Sequence, residues 1–184
     1  MSHQLANVHP EAKIGKYVTN SPFAYIAGNV VIGDGTWIGP NTTILDGARI
    51  GKNCRVFPGA VISAIPQDLK FRGEETTAEI GDNTTMRECV TVNRGTASRG
   101  KIVIGNNCWI GNRVTVNKGT QLPNFTIVAA GSLTNKDYTK DGKTHLTLAG
   151  CPAKIVAEGY ERIFETMEED LCISLNEREY RGNL

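Results

Sequence analysis

An aliphatic residue returns at every sixth position of this chain from Ile26 to Val128. Fifteen of the eighteen positions in that series hold Ile, Val, Leu or Met, and the exceptions are Asp68, Glu74 and Ser98. With 40% hydrophobic residues in the chain, about seven would be expected by chance. A period of six fits neither the 3.6-residue helical repeat nor simple strand alternation. It predicts an architecture of short stacked repeats.

The rest of each hexad supports the same interpretation. Glycine often follows the aliphatic residue, where a tight corner favours a residue without a Cβ. Four residues after the aliphatic comes a small or β-branched residue, at Thr36, Thr42, Ala48, Cys54, Ala60, Thr84, Thr96, Cys108, Val114, Thr120, Thr126 and Ser132. We predict an all-β solenoid, a parallel β-helix of triangular section in which a hexad is one short strand plus a corner. Three hexads make one coil, and about seven coils stacked ~4.8 Å apart give a prism ~34 Å tall.

Composition bounds the class of protein and its partners. The 184 residues fit one folding unit, and the net charge of +1 without a Lys/Arg cluster argues against a nucleic-acid partner. No apolar run approaches the ~18 residues of a membrane span, and the N-terminus lacks a signal pattern, so we expect a cytoplasmic protein. The five cysteines form no CxxC pair. Cys54 and Cys108 occupy the small corner position, which favours reduced packing residues.

The repeat is interrupted first between Ile65 and Glu79. This segment is rich in charged residues and has a proline at its second position, Pro66. This segment brings three polar residues close together, namely Gln67, Asp68 and Lys70. It is either a solvated loop without a task or a loop that projects from a rigid prism to hold a ligand.

The second interruption runs from Thr91 to Lys101, where Ser98 replaces the aliphatic residue. Basic residues cluster here, at Arg94, Arg99 and Lys101. This segment is either a wide corner or an anion-binding patch.

These two segments carry a family resemblance. The stretches PQDLKF and AEIGDNTTMRECVTVNRGT, within His9 to Thr96, resemble the bacterial UDP-N-acetylglucosamine O-acyltransferases. The resemblance implies a left-handed β-helix and a homotrimer whose active sites lie between neighbouring prisms. It also implies that Gln67, Asp68 and Lys70 hold the nucleotide sugar. Arg94 would bind its phosphates, because a guanidinium can bind phosphate in bidentate fashion.

After Thr96 the resemblance changes. The segments IGNNCWIGN and LAGCPAK are similar to the hexapeptide-repeat acetyltransferases that use acetyl-CoA. That similarity implies cofactor contacts at Ala130, Gly131 and Lys154. The expected donor is therefore an acyl carrier protein or CoA thioester that acts as co-substrate, with no bound cofactor.

The general base is the point at which the chain departs from both groups. Both use a histidine to remove a proton from the acceptor, but this chain has only His3, His9 and His145. The resemblance places Lys118 at the base position. Three alternatives stay open: Lys118 acts as base if burial neutralises its ammonium group, His145 reaches a neighbouring subunit's cleft, or the chain works without this base. A zinc site of three histidines is not expected, since two of the three lie in the first nine residues.

From about Ala157 a helical pattern replaces the hexads, with apolar residues three and four apart and acidic residues between them. We therefore predict three parts: a β-helix over 1–133 with a projecting loop at 65–79, a loop and closing segment over 134–156, and a C-terminal α-helix over 157–184.

The sequence thus predicts a homotrimeric acyltransferase that moves an acyl group from an acyl carrier protein or CoA thioester to a hydroxyl or amine of a nucleotide-linked sugar. The competing hypothesis is a non-catalytic β-helix trimer that binds a ligand or serves as a scaffold.

Overall fold

The structure is a computed structural model and describes residues 2–159. These residues form twenty-one short strands on three faces of a triangular prism. Face 1 consists of β1 (Asn7–Val8), β4 (Tyr25–Ile26), β7 (Thr43–Ile44), β10 (Val61–Ala64), β13 (Thr91–Asn93), β16 (Thr115–Val116) and β19 (Leu133–Thr134). Face 2 consists of β2 (Lys13–Ile14), β5 (Val31–Ile32), β8 (Ala48–Ile50), β11 (Ala78–Ile80), β14 (Ile102–Ile104) and β17 (Gln121–Leu122). Face 3 consists of β3 (Thr19–Asn20), β6 (Trp37–Ile38), β9 (Arg55–Val56), β12 (Thr85–Met86), β15 (Trp109–Ile110), β18 (Ile127–Val128), β20 (Leu146–Gly150) and β21 (Ala153–Glu158).

The strand register confirms the parallel β-helix. From β1 to β19, consecutive strands lie on successive faces, so each strand pairs in parallel with the strand three places along the chain. In an uninterrupted coil the paired residues are 18 positions apart, as for Tyr25 with Thr43 and Thr43 with Val61. Three hexads therefore make one coil. Among the described residues no segment is helical.

The hexad residues form the core. All fifteen aliphatic residues of the series are buried, and none is more than 3% exposed. The twelve small residues four positions later are buried as well, and the threonines among them find partners inside. Thr36, for example, donates to the carbonyl of Gly51 at 2.9 Å and accepts from the amide of Cys54 at 3.0 Å. A buried hydroxyl is tolerated at the corner because it satisfies backbone groups of the next coil.

The period extends further than the aliphatic series indicates. Counting back in sixes from Ile26 reaches Asn20, Ile14 and Val8, which end β3, β2 and β1. Counting forward reaches Thr134, which ends β19 and is fully buried. Asn20 is 2% exposed, and its side-chain amide donates to Ser2 Oγ at 2.8 Å. A count of apolar residues alone ends at Ile26 and Val128, because the next hexad positions on either side hold the polar residues Asn20 and Thr134.

Both interruptions of the repeat leave the prism at the same edge. Val61 pairs with Thr91 across 30 residues, and Thr91 pairs with Thr115 across 24, so the two coils carry 12 and 6 extra residues. The extra residues lie between β10 and β11 and between β13 and β14, at the edge where face 1 meets face 2. Because both insertions are multiples of six, the hexad phase continues through them. The three exceptions to the series fall inside the insertions.

A column of glycines lets adjacent coils approach closely at the edge between faces 2 and 3. A Cβ on Gly81 would lie 2.6 Å from the backbone carbon of Gly105 and 2.7 Å from the amide nitrogen of Asn106. Gly33 and Gly51 meet the following coil in the same way. Glycine is required at these corners because neighbouring backbone occupies the space of a side chain.

The closing segment predicted within 134–156 takes the form of a hairpin. β20 pairs with β18 in parallel and with β21 in an antiparallel hairpin, whose turn holds the cis Cys151–Pro152 peptide. Leu146 and Leu148 are buried, so β20 continues the core by strand alternation rather than by a hexad. Ala157 and Glu158 end β21, which corrects the predicted helix start. The rest of the predicted helix over 157–184 lies outside the described residues.

The cysteine prediction is confirmed for Cys54 and Cys108, which are buried and free. Burial is the main cause that raises the pKa of the Cys54 thiol to about 11 and that of Cys108 to about 12. Among the residues that the structure covers, no helix is long and apolar enough to cross a membrane.

Candidate functional site

Three consecutive corners at the edge between faces 1 and 2 form one continuous surface. They are the first insertion (65–77), the second insertion (94–101) and the corner between β16 and β17 (117–120). We call this set the edge site. Since corners of successive coils stack, residues far apart in sequence become neighbours there.

The two insertions are held to each other by hydrogen bonds. Thr76 Oγ1 donates to the carbonyl of Gly95 at 2.7 Å, and the amide of Gly95 donates to the carbonyl of Thr77 at 3.2 Å. The guanidinium of Arg94 lies over the ring of Phe71, 5.3 Å from its centre. The insertions thus form one unit, and Phe71 supports Arg94 in a way that the sequence did not suggest.

An ion pair joins the first insertion to the third corner. Lys118 Nζ donates to Asp68 Oδ2 at 2.6 Å, across 50 residues of sequence. The other oxygen, Oδ1, accepts from the backbone amide of Lys70 at 3.1 Å. The Asp68 side chain is 11% exposed and that of Lys118 is 40% exposed. The hydrogen bond from Lys118, followed by that from the Lys70 amide, lowers the pKa of Asp68 below its ordinary value, so the carboxylate is charged at neutral pH.

The other predicted acceptor residues surround this pair. Gln67 and Lys70 are exposed on the first insertion, and Leu69 between them is fully exposed. Arg94 is half-buried, and its buried Nε has no hydrogen-bond acceptor among residues 2–159.

The basic cluster predicted in the second insertion is divided by the fold. The aliphatic part of Arg99 lies about 3.6 Å from where a Cβ of Gly119 would be, so Arg99 borders the corner that holds Lys118. Lys101 instead pairs with Glu79 on face 2 at 2.6 Å. Arg94 and Arg99 therefore belong to the edge site, and Lys101 lies at its margin.

The three histidines lie away from the Asp68–Lys118 pair. His9 is on the same edge, but in the corner between β1 and β2, five coils from the corner of Lys118. His3 accepts from the amide of Leu5 near the chain start. His145 stacks on Phe125 at the edge between faces 2 and 3, with ring centres 4.4 Å apart. Within the described chain, no imidazole belongs to the edge site.

The predicted cofactor contacts lie at the third edge, where face 3 meets face 1. Ala130 and Gly131 are exposed in the corner between β18 and β19. Ala130 also lines a cavity of about 310 Å³ with Arg87 and Trp109. Lys154 is exposed in β21 opposite Ala149. The structure thus places the predicted acceptor and donor residues of one chain on two different edges.

No metal site is found among residues 2–159, since no group of three or more His, Cys, Asp or Glu side chains could hold an ion there. The corners that form the edge site carry three carboxylates, at Asp68, Glu74 and Glu75, three ammonium groups, at Lys70, Lys101 and Lys118, and three guanidinium groups, at Arg72, Arg94 and Arg99.

Comparisons with known families agree with this architecture. The model described as bacterial transferase hexapeptide (six repeats) matches residues 29–64, and the hexapeptide repeat of succinyl-transferase matches residues 101–133. The structure is similar to LpxA, a UDP-N-acetylglucosamine acyltransferase from Bacteroides fragilis. The TM-score is 0.68 and the identity 36%, over 91% of this chain and 82% of that one. A second solved structure, the UDP-N-acetylglucosamine acyltransferase of Francisella novicida, has a TM-score of 0.68 and 29% identity, over 88% of this chain and 71% of that one.

The fold is therefore the left-handed parallel β-helix of the hexapeptide-repeat transferases. More narrowly, the chain belongs to the UDP-N-acetylglucosamine acyltransferase family, which confirms the resemblance seen in the sequence.

Curated relatives give similar matches over part of their length. Acyl-[acyl-carrier-protein]--UDP-N-acetylglucosamine O-acyltransferase of Bartonella henselae is 41% identical over 107 residues, which is 58% of this chain and 39% of the relative. The enzyme of that name from a Sulfurovum species is 51% identical over 105 residues, 56% of this chain and 40% of the relative. The matches thus span about two fifths of these relatives' length.

Proposed function

We propose that this protein is an acyltransferase. It moves an acyl group from an acyl carrier protein or CoA thioester to a hydroxyl or amine of a nucleotide-linked sugar. The observation that carries the proposal is the Asp68–Lys118 contact. It brings together the loop residue that the family resemblance assigns to the sugar and the corner that it assigns to proton transfer.

The acceptor would bind at the edge site. Gln67, Asp68 and Lys70 orient the sugar, and Arg94 binds its phosphates. A buried donor without an acceptor costs about 1–3 kcal/mol, so a phosphate oxygen that reaches Arg94 Nε would remove an existing penalty. The contact of the Arg94 guanidinium with the Phe71 ring supports this role because it helps to hold the guanidinium in place before the ligand arrives.

The donor thioester would follow the edge where face 3 meets face 1, past Ala130, Gly131 and Lys154. Since donor and acceptor residues lie on different edges of one prism, the proposal includes a homotrimer in which the donor edge of one subunit faces the edge site of the next. For a hydroxyl acceptor, the candidate bases in that assembly are Lys118 and His145 of a neighbour. We also propose the cytoplasm as the compartment. The proposed parts of the chain are a β-helix over 1–133 with its loop at 65–79, a loop and closing segment over 134–156, and a C-terminal helix over the part of 157–184 that follows β21.

A second candidate is a non-catalytic trimer that binds a nucleotide sugar or serves as a scaffold. Two observations favour it. No imidazole belongs to the edge site among residues 2–159, and Lys118 donates a hydrogen bond to the Asp68 carboxylate.

Acceptor-dependent thiol release separates the two candidates. The full chain is incubated with acyl carrier protein thioesters and with acetyl-CoA, each with and without a UDP-linked sugar. Release that requires the sugar supports the acyltransferase and identifies the donor class. If no donor reacts while calorimetry detects binding of the UDP-sugar, the binding protein is the better account.

A further inference from the structure

The charges at the edge site bear on which kind of acceptor group this protein can acylate. A sugar hydroxyl attacks a thioester efficiently when a base removes its proton during the attack. Such general-base catalysis raises the rate by about 10²–10⁴-fold. A neutral amine attacks with its own lone pair and loses a proton only afterwards. The two acceptor classes therefore demand different side chains at the reacting centre.

Lys118 is badly placed to act as a base. Its Nζ donates a hydrogen bond to Asp68 Oδ2 at 2.6 Å, so the group that Lys118 presents to the carboxylate is a proton donor. The side chain is 40% exposed, so it lies in contact with water rather than in an apolar pocket. The role that this geometry gives to Lys118 is the opposite of that of a base.

Asp68 is a weak base with a defined orientation. One oxygen is held by Lys118 and the other by the amide of Lys70. A sugar hydroxyl is a far weaker acid than the ammonium that forms when an amine has attacked a carbonyl. A weakly basic carboxylate therefore accepts a proton much more readily from that ammonium than from a hydroxyl.

We propose, on the basis of the acyltransferase function above, that the acceptor of this protein is an amine, so that the product is an N-acyl amino sugar attached to a nucleotide. The geometry points to this class because the edge site pairs a fixed carboxylate with a fixed ammonium group and holds no imidazole among residues 2–159. An amine beside electron-withdrawing groups, like an α-amino group with a pKa of about 8, is partly neutral at pH 7 and needs no base for attack.

The reaction balances with these groups. The amine lone pair forms the new C–N bond at the thioester carbonyl, and the electron pair of the C=O bond moves to oxygen, where the Lys118 ammonium stabilises the charge. The nitrogen passes one proton to Asp68. The C=O bond then re-forms, the C–S bond breaks, and the departing thiolate takes up one proton by way of Asp68 and Lys118. The products are an amide and a free thiol, with no oxidant or further reactant.

The test compares acceptors that differ at one atom. UDP-N-acetylglucosamine, which offers only hydroxyls, is compared with UDP-linked hexoses that carry one free amine at carbon 2, 3 or 4. Acylated product is measured by mass spectrometry with each donor. We expect kcat/KM for the best amine to exceed that for the hydroxyl acceptor by at least about 100-fold, the lower end of a base contribution. We also expect its pH profile to follow the neutral fraction of the acceptor amine.

Two substitutions sharpen the comparison. Lys118→His provides the imidazole that a hydroxyl acceptor needs and should raise turnover of UDP-N-acetylglucosamine at least tenfold, while Asp68→Asn should lower kcat for amines more than it changes KM. Lys143→Ala is the matched control, because Lys143 forms a similar exposed ion pair with Glu158 at 2.8 Å and lies outside the edge site. It should leave both activities unchanged.

The possible failures are distinct. If the unmodified protein acylates the hydroxyl acceptor within tenfold of the best amine, the amine proposal is overturned and the acyltransferase stands. If no acceptor of either class consumes any thioester, the acyltransferase itself is overturned, and the amine proposal with it.

Discussion

The hexad register makes a quantitative prediction at two isoleucines that lie three residues apart. Ile62 is a series residue with 0% of its surface exposed, whereas Ile65 opens the first insertion and is 63% exposed. The same substitution, Ile→Ala, deletes the same atoms at both. Register alone, and not composition or local sequence, separates their environments.

The expected magnitudes follow from burial. Ile62→Ala removes three buried carbons, which at ~0.8 kcal/mol each is ~2.4 kcal/mol of transfer free energy, and the cavity places the total within about 2–5 kcal/mol. In a chain of this size 1 kcal/mol shifts Tm by about 2–4 °C, so Tm should fall by about 4–20 °C. Ile65→Ala should change the free energy of unfolding by no more than about 0.5 kcal/mol.

Urea unfolding followed by circular dichroism measures both variants against the unmodified protein. The slope of the free energy with urea must be compared as well, because a stacked solenoid can lose cooperativity when one coil is weakened. Equal destabilisation at the two positions would refute the hexad account of the core. A large effect at Ile65 alone would place the register one half-hexad away.

Three further predictions concern the edge site, the coil spacing and the thiols. Because the pKa of Asp68 is lowered, its charged carboxylate contributes fully to stability above the ordinary aspartate value of 3.8, and this contribution is lost as the pH falls through the lowered pKa. The difference in unfolding free energy between the unmodified protein and Asp68→Asn should therefore shrink below about pH 4. A difference that grows there would be inconsistent with the ion pair. Gly81→Ala should cost about 3 kcal/mol or more, since its Cβ would meet the backbone of the next coil. Gly142→Ala has open space but a φ of +66° and should cost only about 1 kcal/mol, and the reverse order would contradict the glycine column. Thiol labelling of the native protein followed by peptide mapping should distinguish the four cysteines of residues 2–159. The exposed Cys89 and Cys151 should be labelled in the native protein, and the buried Cys54 and Cys108 only after unfolding.

Much of the fold could be predicted from the sequence, because the same residue types recur at the same positions of successive hexads. The aliphatic residue fills the interior, the small residue fits the corner, and the glycine lets the next coil approach, so fifteen hexads give the same signal for a β-helix. The ends of the solenoid were harder to predict. Asn20 and Thr134 occupy core positions as polar residues, and only their buried hydrogen-bonding sites in the structure reveal that the phase continues.

The candidate site could be predicted only in part. The insertions were visible as interruptions, and their polar residues suggested a ligand. The contact of Asp68 with Lys118 was not visible, because it depends on two insertions that leave the prism at one edge and stack on consecutive coils. The same stacking separates Lys101 from Arg94, although they are close in sequence. To assign a residue to an edge of the prism, one must know where each insertion leaves the coil and where it returns. The sequence alone does not give these paths.

If acyl transfer takes place at the edge site, loss of the Asp68 carboxylate must slow it. The unmodified protein, Asp68→Ala and the control Lys143→Ala are each incubated with an acyl thioester and UDP-linked sugars that offer hydroxyls or one amine, and the acylated nucleotide sugar is quantified by mass spectrometry. We expect product with the unmodified protein and with Lys143→Ala, and at least about a 100-fold lower rate with Asp68→Ala. Equal rates in all three proteins would place the reaction elsewhere on the molecule, and no product from any of them would contradict the assignment of an acyltransferase.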